Sequence, residues 1–342
     1  MENKRVLYLD ILRIAATFGV LFNHIPLAAV HIFDKQATDV DRFLVNGNVH
    51  VMHFAVPLFV MITGALLLQP ERKIDYRKVL TKYAWRMVVI LALVGTAFAW
   101  MEIFFADKHF ALVQIPQALV NTLGGHTWKH MWYLYMLIGL YLVMPLLKAA
   151  VNHLPTKDLD WLIAVGLLFT SVIPAVTHYA DVEVGIKFPV ASHYVFLMLT
   201  GYRLSTIDFR QARPWLWMAL AVAVVYMLFG YMEYALGYKS LIWLSGYESP
   251  MMIIYSVCIF IAIKELRYDW QPIMRWGGGF SRDSFGIYVF HMLWVNIIYK
   301  VVKFNPIETG LWSLVPVLIV VTLLAWATTI AFRKIPFLGK YI

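Results

Sequence analysis

The sequence predicts an all-α membrane protein with about ten transmembrane helices and both termini in the cytoplasm. Of its 342 residues, 61% are hydrophobic and only 14% are charged, whereas a soluble domain carries about 25% charged residues. The apolar residues also form long runs, and a hydrocarbon layer of about 30 Å needs a helix of about 20 such residues. Too little polar surface remains to cover a soluble domain of this size.

Ten apolar runs qualify as transmembrane spans. They cover residues 6–30, 49–69, 84–105, 131–149, 160–178, 188–204, 214–236, 249–265, 284–303 and 311–332. The stretch between the third and fourth runs, His109–His130, contains Pro116 and is too polar for a simple span. We interpret this stretch as an external or re-entrant helix.

The distribution of basic residues indicates the orientation. With ten spans both termini lie on one side, and the loops on that side hold most of the 29 lysine and arginine residues. Because basic residues favour cytoplasmic loops, both termini are predicted to be cytoplasmic. The same bias explains the net charge of +9, so we expect membrane lipids rather than nucleic acid as partners.

The chain is interpreted as a single membrane domain over residues 1–342, without internal repeats. The first apolar run contains Asp10 and Arg13, which an ordinary signal peptide lacks, so no cleavable signal peptide is expected. Cys258 is the only cysteine, which excludes an intramolecular disulfide and a cysteine-based metal site. Any chemistry must be performed by the helical bundle.

Three ionisable residues, Asp10, Arg13 and His24, lie inside the first apolar run. Such side chains are costly in a membrane and usually mark a pathway or a site. Arg13 and His24 lie eleven positions apart, which places them on nearly the same helix face with a separation of about 16 Å. Asp10 and Arg13 can pair. Two plainer interpretations stay open, because Arg13 can extend to the lipid headgroups and His24 can be an interfacial histidine.

Further histidines occur at the span ends and within the ninth span. His50 and His53 begin the second span and His130 begins the fourth, and we favour an interfacial position for His50. A metal held by His50 and His53 is disfavoured because no carboxylate partner is evident, so we expect no metal site. His291 lies inside the ninth span, where a buried neutral histidine and a functional histidine are comparably favoured.

A basic stretch follows the second span. It contains Arg72, Arg77, Lys82 and Arg86, and it is amphipathic and predicted to be cytoplasmic. Orientation and the binding of anionic lipids are one explanation. The other is that these side chains bind the phosphates of a nucleotide-like donor, for which arginine and lysine are suited.

The first two spans resemble those of the membrane acyltransferase family 3, integral-membrane enzymes that modify surface glycans. The family's first-helix signature is a basic residue and a histidine separated by ten positions, here Arg13 and His24. The segment Pro57–Gly64 resembles the second-helix motif. It has Thr63 before the glycine, where serine is more usual.

Two later segments extend the resemblance over nearly the whole chain. His130–Tyr135, which includes Trp132 and is followed by Pro145, resembles the fourth-helix motif of the family. Ser284–His291 resembles its late-helix motif. The chain matches the stand-alone type of the family, which has no fused extracellular domain.

The resemblance implies acyl-CoA, typically acetyl-CoA, as a co-substrate, with no permanently bound cofactor. The implied acceptor is a hydroxyl or amino group of an envelope glycan or a lipid-linked sugar at the bacterial inner membrane. In this scheme His24 acts either as a general base or as a covalent acyl carrier, and both routes stay open. Asp10 orients Arg13, which binds donor phosphates together with Arg72, Arg77, Lys82 and Arg86. The residues expected on the acceptor side are His130, Trp132, Tyr135, Tyr288 and His291.

The competing interpretation is a transporter or flippase of an envelope glycan or a lipid-linked intermediate, without acyl transfer. It explains ten spans and intramembrane charges equally well. It also predicts inverted repeats and broken helices in paired positions, and the sequence does not clearly contain them.

Overall fold

The computed structural model describes residues 6–107, 109, 111–180, 192–236, 243–266 and 271–342, without the side chains of 234, 236 and 271–276. The fold in these ranges is all-α, as predicted. Its helices are α1 (Leu7–Ile32), α2 (Asp39–Met52), α3 (Ala55–Leu67), α4 (Tyr76–Asp107), α5 (Ile115–Leu123), α6 (Lys129–His153), α7 (Thr156–Ala180), α8 (His193–Thr206), α9 (Arg213–Leu236), α10 (Pro250–Glu265), α11 (Gln271–Asn296), α12 (Pro306–Thr309) and α13 (Leu314–Arg333).

Within the described residues, nine helical runs are long and apolar enough to cross a membrane, which confirms a polytopic membrane protein. Ten spans were predicted, and the difference lies in the span 188–204. Its first residues, 188–191, lie outside the described residues. The remainder is α8, which has 14 residues.

The second predicted span begins earlier than expected. It was predicted at 49–69, but α2 starts at Asp39 and is followed by α3, and together they form one candidate span. Thr38 caps α2 reciprocally: its hydroxyl accepts from the Asp41 N–H at 3.2 Å, and its own N–H donates to the Asp41 carboxylate at 2.8 Å. The first turns of α2 are polar, so apolar periodicity did not reveal them.

The chain divides into two compact units. The first comprises residues 1–69 and Leu154–Trp326, and the second comprises Pro70–His153 and Ala327–Ile342. The first unit therefore contains α1–α3, α7–α12 and the first part of α13. That the chain acts as a single domain stays a prediction.

In the first unit, α3 and α8 cross in backbone contact at two glycines. A Cβ at Gly64 would lie 1.8 Å from the Met198 carbonyl oxygen, and a Cβ at Gly201 would lie 2.0 Å from the Met61 carbonyl oxygen. Only glycine permits this approach, a packing mode common between membrane helices. Gly64 ends the segment that resembles the family's second-helix motif, so the crossing gives that glycine a structural reason.

The contacts of α3 with α8 also give the direction of α8. Gly64 lies against Met198, and just after the end of α3 the Gln69 amide donates at 2.9 Å to the hydroxyl of Ser205 in the last turn of α8. The two helices therefore run in the same direction. This is the relation expected of the second and sixth of ten spans.

Helix α1 packs along α11 in the same unit. Ser281 of α11 contacts Asp10 near the start of α1, and His291 contacts His24 near its end. These two helices also run in the same direction, as expected of the first and ninth of ten spans. The packing places the ionisable residues of α1 against the late-helix segment.

The second unit contains α4, α5, α6 and the end of α13. The Trp128 ring stacks on Phe98 of α4 with centroids 4.1 Å apart, and its indole N–H donates to Glu102 at 3.0 Å. The segment predicted as an external or re-entrant helix forms α5, preceded by a 3₁₀ turn at Leu112–Gln114. Its helical state is confirmed, and its place relative to the membrane stays a prediction.

Candidate functional site

Asp10 and Arg13, near the start of α1, form the predicted pair. Asp10 is buried, and its Oδ1 accepts from the Ser281 hydroxyl at 2.6 Å. Arg13 Nη1 lies 3.8 Å from the same oxygen. The predicted contact between Asp10 and Arg13 is confirmed, and Ser281 holds the carboxylate in place from α11. The Arg13 side chain remains about a third exposed, so its guanidinium stays accessible.

His24 of α1 contacts His291 of α11 directly. His24 Nδ1 and His291 Nε2 are 2.8 Å apart, and the two rings are nearly coplanar, with 7° between their planes. His291 is completely buried, whereas His24 is partly exposed. The two histidines were predicted separately, as catalytic and acceptor-side residues, and the structure brings them into one pair.

Hydrogen bonding assigns the tautomers of this pair. His291 Nδ1 lies 2.6 Å from the Tyr288 carbonyl oxygen, and a carbonyl can only accept, so Nδ1 carries the hydrogen. Nε2 of a neutral His291 is then an acceptor. His24 must therefore donate from Nδ1, which leaves the lone pair of a neutral His24 on Nε2. This arrangement orients one imidazole through another and prepares His24 Nε2 to take a proton or an acyl group.

The interpretation of His50 as an interfacial histidine was wrong. His50 is 4% exposed, with Nδ1 2.6 Å from the Ser245 hydroxyl and Nε2 3.0 Å from Glu233 Oε2. A carboxylate partner therefore exists, although none was evident from the sequence. We call His50, His53, Glu233 and Ser245 the His50 cluster, since His53 Nδ1 lies 2.8 Å from the Ser245 carbonyl oxygen.

Glu233 is the residue of this cluster that sequence reasoning missed. It lies inside the predicted span 214–236, and a carboxylate within a span is itself a signal for a site. The signal could have been read from the sequence, but its partner could not. His50 and Glu233 are separated by 183 positions. In the described residues, no group of three or more His, Cys, Asp or Glu side chains is arranged to hold a metal ion.

The four basic residues predicted to bind the donor lie in the second unit. Arg77 and Lys82 are exposed. Arg72 Nη2 lies 3.5 Å from the Tyr83 hydroxyl, and Arg86 Nε donates to the Tyr341 carbonyl at 2.9 Å. Arg86 thus contacts the C-terminal segment, while Arg77 and Lys82 present their charges to the surroundings. Their role in donor binding stays a prediction.

The remaining acceptor-side predictions divide between the two units. Tyr288 lies in the first unit and is buried, and its carbonyl orients His291. His130, Trp132 and Tyr135 lie in the second unit. His130 is buried, Trp132 is 37% exposed, and the Tyr135 hydroxyl donates to the Thr122 carbonyl. Their acceptor role stays a prediction.

An apolar cavity of about 210 Å³ lies beside the His24 region of α1. Its walls come from α1, α2 and the start of α13. Phe22, Ile25 and Pro26, which flank His24 in sequence, form one wall. The cavity can therefore accept part of a hydrocarbon chain against α1. His24 lies about 150° around the helix from these three side chains, on the side that contacts His291.

One comparison with known proteins gave a match. A family model described as "Acyltransferase domain", that of acyltransferase family 3, matches residues 6–330. Comparisons with curated proteins and with solved structures gave no match. The matched range includes α1, the α3 glycine motif and the His24–His291 pair.

Proposed function

Because the chain belongs to the acyltransferase 3 family of membrane proteins, we propose that it moves an acetyl group from cytoplasmic acetyl-CoA to a hydroxyl or amino group of an envelope glycan or glycolipid. The observation that carries this proposal is the His24–His291 pair. It places a partly exposed, oriented imidazole inside a membrane bundle. The membrane is the bacterial inner membrane, with both termini in the cytoplasm.

In the direct route His24 acts as a general base. His24 Nε2 takes the proton of the acceptor hydroxyl while the oxygen of that hydroxyl attacks the thioester carbonyl carbon. The carbon–sulfur bond then breaks, and the thiolate of CoA receives the proton from His24. The hydrogen bond from His24 Nδ1 to His291 keeps Nε2 as the proton-accepting nitrogen throughout.

In the second route His24 carries the acyl group. Its Nε2 attacks the thioester carbonyl carbon, the carbon–sulfur bond breaks, and the CoA thiolate leaves. The acceptor oxygen then attacks the acyl carbon, the bond between that carbon and Nε2 breaks, and the freed Nε2 takes the acceptor proton and passes it to the thiolate. Both routes use the same nitrogen and the same tautomer. They differ in whether an acylated His24 accumulates when acceptor is withheld.

The donor is proposed to lie with its phosphates on the cytoplasmic side. Arg13, held by Asp10, supplies one cation on the face of α1 that leads toward His24. Arg72, Arg77, Lys82 and Arg86 supply the others. Arginine and lysine recognise phosphate by charge and by hydrogen bonds.

The apolar cavity against α1 favours a lipid-linked acceptor. Its lining is almost entirely hydrocarbon, and Asn48, the polar residue in it, donates to the Phe22 carbonyl at 2.6 Å. A lipid chain in this cavity would hold the acceptor against α1.

The test uses purified protein in detergent, radiolabelled acetyl-CoA and an envelope glycan fraction. We expect His24→Ala to lower acetyl transfer about 100-fold or more, the usual contribution of a general acid–base residue. His31→Ala is the matched control, because His31 lies on the same helix and is exposed. If the wild-type protein neither binds nor consumes acetyl-CoA, the proposal is wrong and transport of lipid-linked glycans is tested next.

A further inference from the structure

We propose that the His50 cluster binds the head group of the acceptor, and that its chemistry selects a neutral head group rich in hydroxyls. This inference rests on the proposed acyl transfer and adds the location of the acceptor site. Neither the first-span signature nor the late-helix motif includes these four residues.

The His50 cluster lies close to His24. The last turns of α2 pack on α1, where the Asn48 amide donates to the Phe22 carbonyl at 2.6 Å. Residues directly after His53 also lie against α1, because a Cβ on Gly19 would be 3.2 Å from the Phe54 ring and 3.0 Å from the Ala55 Cβ, and Gly19 precedes His24 by five positions. A molecule bound at the cluster can therefore present a hydroxyl to His24.

Two glycines bring the cluster together. Helices α2 and α9 cross at Gly47 and Gly230, where a Cβ on Gly230 would lie 2.5 Å from the Gly47 nitrogen. His50 and Glu233 each follow one of these glycines by three positions, so short side chains reach across the crossing. A carboxylate and an imidazole buried here lose hydration that an apolar pair would not lose, which points to a role other than stability.

The hydrogen-bond donors of His50 and Ser245 are used inside the cluster. A carboxylate only accepts, so His50 Nε2 donates to Glu233 Oε2 at 3.0 Å. A neutral His50 then accepts at Nδ1, and the Ser245 hydroxyl donates to it at 2.6 Å. These two hydrogen bonds use both ring nitrogens of His50, so neither nitrogen can bind a ligand.

The donor of His53 is used in the same way. Its Nδ1–H donates to the Ser245 carbonyl at 2.8 Å, so a neutral His53 has its lone pair on Nε2. His53 is partly exposed, and its ring lies 5.0 Å from that of Tyr247, measured between centroids. His53 therefore offers an acceptor nitrogen beside an aromatic ring, a combination suited to a sugar hydroxyl and its apolar face.

Glu233 gives the independent sign of a ligand. Its side chain is only 8% exposed, yet Oε1 is buried without a hydrogen-bond partner. An unsatisfied buried carboxylate oxygen is costly, and a donor group would remove that cost. Asn23 Oδ1, next to His24 in sequence, is a second buried acceptor without a partner.

The two acceptor atoms of the cluster define which ligand fits. Glu233 Oε1 and His53 Nε2 both accept and do not donate. A ligand must therefore bring O–H or N–H groups, and a phosphate or carboxylate would be repelled by Glu233. Sugar hydroxyls meet both conditions.

The test measures binding of octyl β-D-glucoside, below its micelle concentration, to the full chain in lipid nanodiscs. Tetraethylene glycol monooctyl ether has the same chain without sugar hydroxyls and serves as the ligand control. We expect Glu233→Gln to weaken glucoside binding about 10- to 100-fold, the effect of losing hydrogen bonds to a charged group, and to leave the ether unchanged. Glu308→Gln, at an exposed position, is the protein control and should bind both as wild type does.

Three results would overturn the inference. The first is no glucoside binding by the wild type. The second is equal glucoside affinity of Glu233→Gln and the wild type, which would mean that a buried water fills the site. The third is that Glu233→Gln weakens glucoside and ether binding equally. Should Glu233→Gln fail to fold, His53→Phe keeps the aromatic contact and removes the acceptor nitrogen, and it should weaken glucoside binding severalfold. Consumption of acetyl-CoA by the wild type, measured separately without glucoside, tells a failure of this site from a failure of the proposed acyl transfer.

Discussion

At the scale of single residues, the hydrogen bond between Tyr288 and His291 governs what His24 can do. The Tyr288 carbonyl fixes the hydrogen on His291 Nδ1, and His291 Nε2 in turn fixes the hydrogen on His24 Nδ1. Two successive hydrogen bonds, between Tyr288 and His291 and between His291 and His24, thus select Nε2 as the proposed reactive nitrogen of His24. His291 is a positioning residue in this scheme, because it acts through His24.

Replacing His291 by phenylalanine tests this positioning role. We expect kcat for acetyl transfer to fall at least about tenfold, because a hydrogen bond worth about 1.4 kcal/mol in the transition state is lost. The KM for acetyl-CoA should stay unchanged. His31→Phe is the matched control, because it makes the same replacement at an exposed histidine of α1. A parallel loss of donor binding and kcat would indicate a general structural defect instead.

The sequence predicted the members of this pair but not their contact. Asp10 and Arg13 share one helix turn, so their pairing followed from helix geometry. His24 and His291 lie 267 positions apart, and no local rule relates them. His50 was misinterpreted for the same reason, since its partner Glu233 belongs to another helix.

At the scale of helices, apolar runs predict where a span exists and small residues decide how it packs. The long apolar runs predicted the membrane helices well, because a helix must be long and apolar to cross the hydrocarbon layer. The start of α2 was missed because its first turns are polar. The crossing of α3 with α8 was not predictable, because a glycine in one helix does not reveal the backbone that it will contact.

Gly64→Ala tests the crossing of α3 with α8. The added Cβ would meet the Met198 carbonyl oxygen at 1.8 Å, so the backbones must separate, and we expect a loss of about 1–3 kcal/mol in the free energy of unfolding. Gly139→Ala is the matched control, since Gly139 also lies in a membrane helix and a Cβ there has nothing within 4 Å. Thermal unfolding in detergent measures both. An unchanged melting temperature for Gly64→Ala would contradict the close approach.

At the scale of the whole molecule, the asymmetry of basic charge predicts the direction of the protein in the membrane. The proposed cytoplasmic donor and the proposed envelope acceptor would use opposite faces of the protein, and His24 lies about 16 Å along α1 from Arg13 by helix rise. Helix α8 runs in the same direction as α3, and α11 runs in the same direction as α1. Both relations agree with a chain that crosses the membrane ten times. The orientation itself rests on the count of basic residues alone.

Site-directed cysteine labelling tests this orientation. The native Cys258 is completely buried, so the wild-type protein should react little with a membrane-impermeant maleimide. Lys35→Cys, after α1, should be labelled in spheroplasts, because that loop is predicted to face outward. Lys73→Cys, after α3, should be labelled only once the membrane is permeabilised, because its loop belongs to the basic, cytoplasmic set. Both positions are exposed, so access to the reagent alone decides the result. The reverse labelling pattern would show the opposite orientation in the membrane. The basic stretch Arg72–Arg86 would then face away from any cytoplasmic acetyl-CoA.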